Sequence, residues 1–553
     1  MTVPTTRDTG STERREQVEA QAAPAGFGTF LRSWRYFILL LCLAIFIGLF
    51  YAEENWRGHR AWSKYRQRLA TQGVPMEPAA VIPKAVPLSE NFASTPLLNP
   101  LFDFLPGTQR WRNTNASNIA QSLAPGSENA QALLRSAFHS PSNSWASRID
   151  LMAAYAALQD GNKKSKGKAN SESSSAPQVS SEQAAAGILE ALANTDAVVE
   201  ELREASRRPY CRFDIQYDTD DPAAILLPHL AVLGRLTEIL QLRALAELAS
   251  GRVEESAHDV ELMLYLADAT RDEPIMVSQM VRMRQARHAI QCIAEGMGRW
   301  SEPQLQSFQE RLQRFDFCAG MQRAVDAERV FFGGGMIDFV HQHPEMYSAL
   351  VDSGTGSDLT FPGALWAGAP GGWFDLEKLN YHVAFDRYRV AGLDLTNHLI
   401  TPAAVDVAES RMTGLRQRPW PLLFVRHKVF SALMLPGFSG AFRKTAFAQT
   451  GVNIAGIACA VERYRLQNGE VCESLDMLTK ARAKDGASNA VAFLSVVPHD
   501  IINGQPLKYR REAGGRYVLY SVGWNGVDDG GTNVTTKGEG EIPLQGDWIW
   551  RPL

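Results

Sequence analysis

The sequence is poor in the residues that build covalent or metal frameworks. Six cysteines are spread over 553 residues as Cys42, Cys211, Cys292, Cys318, Cys459 and Cys472. No two stand at C-x-x-C spacing and none has a histidine pair beside it, so a zinc site is not expected. Cys42 falls in an apolar run and the other five cannot all pair, which excludes a disulfide framework. Most of them read as small buried hydrophobes. An excess of one charge is missing too: 56 Lys and Arg stand against 60 Asp and Glu, leaving −4. With no basic surplus to neutralise phosphates, nucleic acid is not expected as the main partner. P-loop, dinucleotide-binding and H-E-x-x-H motifs are absent. Hydrophobic residues at 45% and charged residues at 21% exclude wholesale disorder and a polytopic membrane protein alike.

Long hydrophobic runs are also scarce, which makes the one near the N-terminus conspicuous. Tyr36 to Ala52 reads YFILLLCLAIFIGLFYA, without a charge. A spanning helix needs about 17 to 25 apolar residues, so the run suffices for a single-pass anchor. Trp34, Tyr36, Tyr51 and Trp56 suit the interfacial belts. A cleaved signal peptide is the rival reading, but no small-x-small site follows closely and a long tail precedes. Charge does not fix orientation. Arg32 and Arg35 precede the run and Glu53–Glu54 follow it, whereas Arg57, Arg60, Lys64, Arg66 and Arg68 lie further along the second side.

The organisation read along the chain is a disordered tail over 1–35, the membrane helix over 36–52, a stalk and proline-rich linker over 53–106, and a helical body over 107–436. A module over 437–553 closes the chain. Within the body a first helix is expected around Ser144–Leu158, and the polar low-complexity run 160–183 reads as a solvated loop. Leu233, Leu236, Leu240, Ala244 and Leu248 form an apolar stripe at helical spacing, stopped at Gly251. Val253, Ala257, Val260, Leu264 and Ala267 form a second stripe, and Met276, Met280, Met283, Ile290, Ile293 and Met297 a third. Ser301-Glu302-Pro303 is a helix start. The stretch Ala244–Ala267 resembles one tetratricopeptide unit without a second copy at that period, so a degenerate antiparallel helical stack is expected. Region 330–375, rich in Gly, Pro and aromatics, reads as irregular loops. Helices are expected again over Leu376–Leu395 and Pro402–Leu415.

The last part opens with a long helix from Ser439, in which Ile454, Ala458, Val461 and Tyr464 share a face, and stops at Asn468-Gly469. A short helix capped by Ser474 follows. A hairpin of Leu507–Arg511 with Tyr517–Ser521 comes next, then the loop Gly523–Asn533. The series Glu473-Ser474-Leu475, Pro498-x-Asp500, Gly504-x-Pro506-Leu507-x-Tyr509 and Tyr520-Ser521-x-Gly523 resembles the soluble half of the major pseudopilins of type II secretion systems. More narrowly it resembles envelope proteins of planctomycetes and verrucomicrobia that carry this ending behind an anchor and a helical body. The resemblance covers 437–553. It lacks the prepilin-peptidase site beside the anchor, and Cys472 stands where the family usually has proline, so polymerisation is not implied. What the resemblance implies is an extracytoplasmic body on an inner-membrane anchor and a calcium-binding acidic loop. Asn525, Asp528, Asp529, Thr532 and Asp547 could supply the oxygens that a hard cation wants. An ordinary Asp-Gly-Gly turn uses the same residues.

No catalytic set emerges. His341-Gln342-His343-Pro344-Glu345 could be a metal cluster, but the proline and the i, i+2 spacing favour a surface loop. Gly437-Phe438-Ser439-Gly440-Ala441 departs from the nucleophile elbow at its last position, and Ser439 reads better as a helix cap. The expectation is therefore a mainly α protein with a small α+β module at its end. Its expected role is that of an envelope scaffold with protein partners. The alternative is an envelope hydrolase with its site in 330–375.

Overall fold

The computed structural model describes residues 27–105, 108–119, 123, 145, 149–165, 180–348, 351, 363–435, 438–480, 492–532 and 542–552. The tail ahead of Phe27, the start of the expected helix at Ser144, residues 166–179 of the expected loop and Asn533 lie outside them. The fold is mainly helical, with two small antiparallel sheets.

The N-terminal helix runs unbroken from Phe27 to Thr71, so the apolar run and the charged stalk are one rod. At a rise of about 1.5 Å per residue, 45 residues span roughly 67 Å, and Tyr36–Ala52 accounts for roughly 25 Å of that. Of the described helices, this one and the helix Pro228–Ala249 are long and apolar enough to cross a membrane. The second is a core helix: Leu233, Leu236, Leu240 and Ala244 on it are fully buried within the body. A helix that is apolar on most sides belongs inside a protein as readily as inside a bilayer.

The expected stripes fold as consecutive antiparallel helices, Pro228–Ala249, Val253–Asp268 and Met276–Glu295. The first turn between them is made by Gly251 at φ 77°, a left-handed position that glycine takes without a Cβ clash. The next helix, Glu302–Leu312, starts in a capping box in which Ser301 and Gln304 satisfy each other's backbone amides. Inside the stack Asp259 is fully buried, with Arg203 and Arg243 each 2.9 Å away. A buried carboxylate needs such partners.

Five expectations are corrected. The first body helix is Leu151–Ser165, because Asp150 caps it through the amides of Met152 (2.9 Å) and Ala153 (3.1 Å). It therefore enters the run 160–183, and a helix resumes at Ser181 behind a Ser180–Gln183 capping box. The proline-rich stretch after the stalk is not an extended linker but a strap in which the short α-helix Pro78–Val81 is followed by 3-10 turns; its Phe92, Leu98 and Leu101 are buried in the core. Region 330–375 is ordered where described: a π-helical turn Phe331–Met336 leads into the helix Ile337–Gln342, and the helix Gly371–Gly392 follows. Ser474 does not cap through its side chain; its carbonyl accepts from the Met477 amide at 3.2 Å, and the helix Asp476–Thr479 follows.

The long helix Phe438–Asn468 is the spine of the molecule. Ile454, Ala455, Ile457, Ala458, Cys459, Ala460 and Val461 are all fully buried. It packs on Met276–Glu295, Glu302–Leu312 and Phe317–Val330. Arg463 reaches Glu302 at 2.9 Å and Gln309 at 3.0 Å, and Gln309 in turn donates to the Phe493 carbonyl at 2.6 Å. One continuous core thus takes in residues from the strap to Trp550, on both sides of position 437. The pair β1 (Leu393–Asp394) and β2 (Leu399–Ile400) leans on the module through the Ile400 amide, which donates to Ile501. The expected hairpin forms as β3 (Lys508–Arg511) against β4 (Tyr517–Ser521), and β5 (Trp548–Trp550) adds a third antiparallel strand beside β4.

Candidate functional site

The stalk supplies the most elaborately built junction. Beyond Ala52 the N-terminal helix lies parallel to Gly371–Gly392, hereafter the clasp helix, and the two backbones touch. A Cβ on Gly58 would sit 2.0 Å from the Gly372 carbonyl oxygen, and one on Gly372 would sit 2.1 Å from that of Glu54. Only glycine permits this approach. Polar ties line the crossing. Tyr51 donates to the Gly368 carbonyl, Asn55 Oδ1 accepts the Gly372 amide at 2.8 Å, and the Trp373 indole donates to Glu54 at 2.8 Å. Further along, Tyr65 donates to Asp386 at 2.6 Å, and the same carboxylate accepts from the buried Arg329 at 2.5 Å. Burial and the Asp386 carboxylate push the Tyr65 phenol well up.

Behind the crossing opens a cleft of about 510 Å³ between stalk, strap, clasp and π turn. Arg329, Lys378, His382 and Asp338 line it on the clasp side and Glu77, Asp218 and Asp220 on the other, with Trp62 and two glycines of the π turn between. Gly333 lets the Tyr381 ring close on the turn, since a Cβ there would meet that ring at 2.4 Å. Lys378 is shared by Asp338 (2.8 Å) and Asp375 (3.1 Å), and its ammonium lies 5.6 Å from the Trp62 ring centre. His382 is buried beside Trp62, with ring centres 5.0 Å apart. Burial, then the charges of Arg329 and Lys378, push its imidazole down to about 3. It is a neutral ring at ordinary pH and a weak base, since efficient proton transfer wants a pKa near the working pH. Neither ring nitrogen has a hydrogen-bond partner among the described residues. On the same helix Glu377 is fully buried and accepts the amides of Val429 (3.0 Å) and Phe430 (3.1 Å), capping the helix Val429–Met434. Burial outweighs those bonds and pushes its carboxyl up to about 8.

A second concavity, about 430 Å³, lies on the body between residues 206–211 and the ends of Val253–Asp268 and Glu302–Leu312. Arg208, Arg271, Arg311 and Arg314 surround Tyr210 and Phe315 there, against Asp268 and Asp272. The balance is basic, and Arg314 is exposed with no ion pair among the described residues.

The residues expected to hold calcium are brought together at one loop, where they hydrogen-bond to its backbone and to the strands beside it. Asp547, fully buried, accepts the amides of Asp529 (3.2 Å) and Gly531 (2.7 Å). Asp528 accepts from Tyr520 and the Gly530 amide, each at 3.1 Å, with the Lys508 ammonium 3.4 Å away. Asn525 turns its amide nitrogen to Asp529 at 3.2 Å, a donor where a ligand should be, and its oxygen accepts the Val527 amide. Thr532 donates to the Asp529 carbonyl at 2.8 Å. Among the described residues no three His, Cys, Asp or Glu side chains gather as a metal site. In this arrangement the five residues serve a hydrogen-bonded turn. His341 and His343 also diverge: the first stacks on Phe374, with centres 4.2 Å apart, and the second lies 3.5 Å from Glu345. The spine helix begins at Phe438, so Ser439 sits in its first turn, and its side chain lies outside the description. All six cysteines are free, and Cys292, Cys318, Cys459 and Cys472 are buried, with burial raising each thiol.

No protein-family model matches the chain, and neither the curated proteins nor the solved structures show a match to it.

Proposed function

We propose that this chain is a single-pass, membrane-anchored scaffold of a bacterial envelope. Tyr36–Ala52 spans the inner membrane, and the helical body stands on the periplasmic side, where it binds protein partners of a secretion or envelope assembly. The observation that carries the reading is the clasp. A tether that merely kept an enzyme near a membrane would need no backbone-to-backbone crossing; the contact of Gly58 with Gly372 supports a body held in one pose on its anchor. The basic groove around Tyr210 and Phe315 is the partner surface, suited to an acidic segment of another protein. Arg and Tyr are the side chains that dominate protein interfaces. The hydrolase alternative draws less support, because the histidine in the cleft is a weak base and the cleft's Lys and Arg are tied to carboxylates.

Affinity capture of the tagged full-length protein from its native membrane, beside an Arg311→Glu/Arg314→Glu variant, tests this. The expected result is recovery of envelope proteins by the parent and their loss from the variant. A bait that emerges alone, or partners indifferent to the charge reversal, would sink the groove as a partner surface.

A further inference from the structure

One surface next to the clasp is apolar where a soluble protein would be polar. The short helix Trp420–Val425 reads WPLLFV, between Arg416-Gln417-Arg418 and Arg426-His427-Lys428. Its inner side is packed: Leu423 is buried, and Phe424 meets Trp373 with ring centres 5.0 Å apart and Trp366 at 5.2 Å. Its outer side is bare, with Leu422 37% and Val425 67% exposed one turn apart, and Leu365, next to Trp366, is 40% exposed. Isolated exposed leucines are ordinary. What distinguishes these is their level on the anchor. Trp373, on which Phe424 rests, also meets Phe50 with centres 6.2 Å apart and donates to Glu54. His427 meets the same indole at 5.1 Å. Tyr51 donates to Gly368, a few residues beyond Leu365. The ledge is therefore built onto residues 50–54, where the apolar run ends and the charged stalk begins. Arg418 and Arg426 at its two ends are exposed and make no ion pair among the described residues.

We propose that Trp420–Val425, with Leu365 beside it, is a membrane-dipping ledge that beds Leu422 and Val425 in the bilayer interface and holds anionic phospholipid headgroups with Arg418 and Arg426. This rests on the reading of Tyr36–Ala52 as a membrane span. Continuity selects the bilayer over another protein as the occupant, since the surface adjoins the point where the span leaves the lipid. An aromatic and aliphatic strip flanked by cations is what the headgroup level accepts. The span itself covers roughly 25 Å against a hydrocarbon core of about 30 Å, so apolar surface at its lower end also extends a short hydrophobic span.

The test uses the full-length protein with Cys42→Ala and Cys211→Ser, reconstituted in phosphatidylcholine vesicles with and without phosphatidylglycerol. A nitroxide is placed singly at Leu43→Cys, Leu422→Cys, Val425→Cys or Val496→Cys, and its collisions with oxygen and with a water-soluble nickel chelate are compared. The expected result is oxygen-dominated collision at positions 43, 422 and 425 and chelate-dominated collision at 496. Phosphatidylglycerol should raise the oxygen preference at 425 several-fold, and Arg418→Gln/Arg426→Gln should abolish that rise. Chelate-dominated labels at 422 and 425 with a lipid-embedded label at 43 overturn the ledge and leave the anchor standing. A water-exposed label at 43 overturns both. Labels at 422 and 425 shielded from both reagents show a protein contact and overturn the lipid assignment. Indifference to phosphatidylglycerol overturns the headgroup role of the arginines.

Discussion

The acidic loop near the end of the chain and the clasp near its beginning both gather polar side chains, but by opposite means. In the loop, Asn525, Asp528, Asp529, Thr532 and Asp547 come chiefly from one short stretch and turn mainly onto the loop itself; Asp547 holds two backbone amides of that stretch. In the clasp, Glu54, Asn55 and Tyr65 meet Trp373, Gly372 and Asp386, more than 300 residues away. Oxygen-bearing residues close together in sequence lie within reach of their own backbone, and turn formation claims them first. Groups brought together across the fold have no local use to satisfy. Proximity in sequence is therefore the poorer guide to a built site in this molecule.

Mutations can break that contrast. The largest effect is expected at the crossing: Gly58→Leu forces backbones apart that now touch, and overpacking costs about 1–3 kcal/mol even where side chains can yield. Thermal unfolding of the detergent-solubilised chain should fall, and limited proteolysis should open the strap. Unchanged melting and protection would mean that the stalk is not clasped in solution. Next, Asp547→Ala leaves the amides of Asp529 and Gly531 unpaired in a buried place, at about 1–3 kcal/mol for such a group, whereas Asp528→Asn on the exposed side should cost much less. Equal losses from the two would show that burial does not rank these carboxylates.

A smaller and graded effect concerns Glu377. Its carboxyl ionises at about 8 in the fold against 4.5 ordinarily, so across that window the folded chain keeps a proton that the unfolded chain has released. Stability then falls as pH rises from about 4.5 to about 8, and the protonated state is the favoured one at the acid end. Glu377→Gln should flatten this part of a melting-versus-pH curve; an unaltered slope would assign the pH dependence to other groups. Smallest of all is the effect of calcium. With Asp547 and Asp528 already hydrogen-bonded, adding calcium or a chelator should leave the melting temperature where it is, and a calcium-dependent rise would make the loop a cation site.

Much of the body was legible because its signals are local. The stripes through Leu236 and Val260, the stop at Gly251 and the Ser301 cap each depend on neighbours within a turn, and the structure keeps them. The strap is not legible in this way, because prolines announce an extended path but do not say what Phe92 and Leu98 will lie against. The clasp did leave a trace. Tyr51, Asn55, Gly58, Trp62, Tyr65 and Leu69 repeat at alternating steps of four and three along an otherwise charged stalk, the spacing of a helix that faces another helix. A glycine inside that stripe is costly unless a backbone must come close. The partner stripe on Gly371–Gly392, and the cleft behind it, follow from packing that no short window of sequence contains.

The clasp also sets an order of events during synthesis. The stalk leaves the ribosome early, and Gly372, Trp373 and Asp386 leave long after it, so for most of translation Gly58 and Trp62 have nothing to close upon. Contacts so distant in sequence close slowly, because the intervening chain must first be gathered. Completion of the clasp is therefore a late step, and the stalk of this protein is a foundation laid first and locked last.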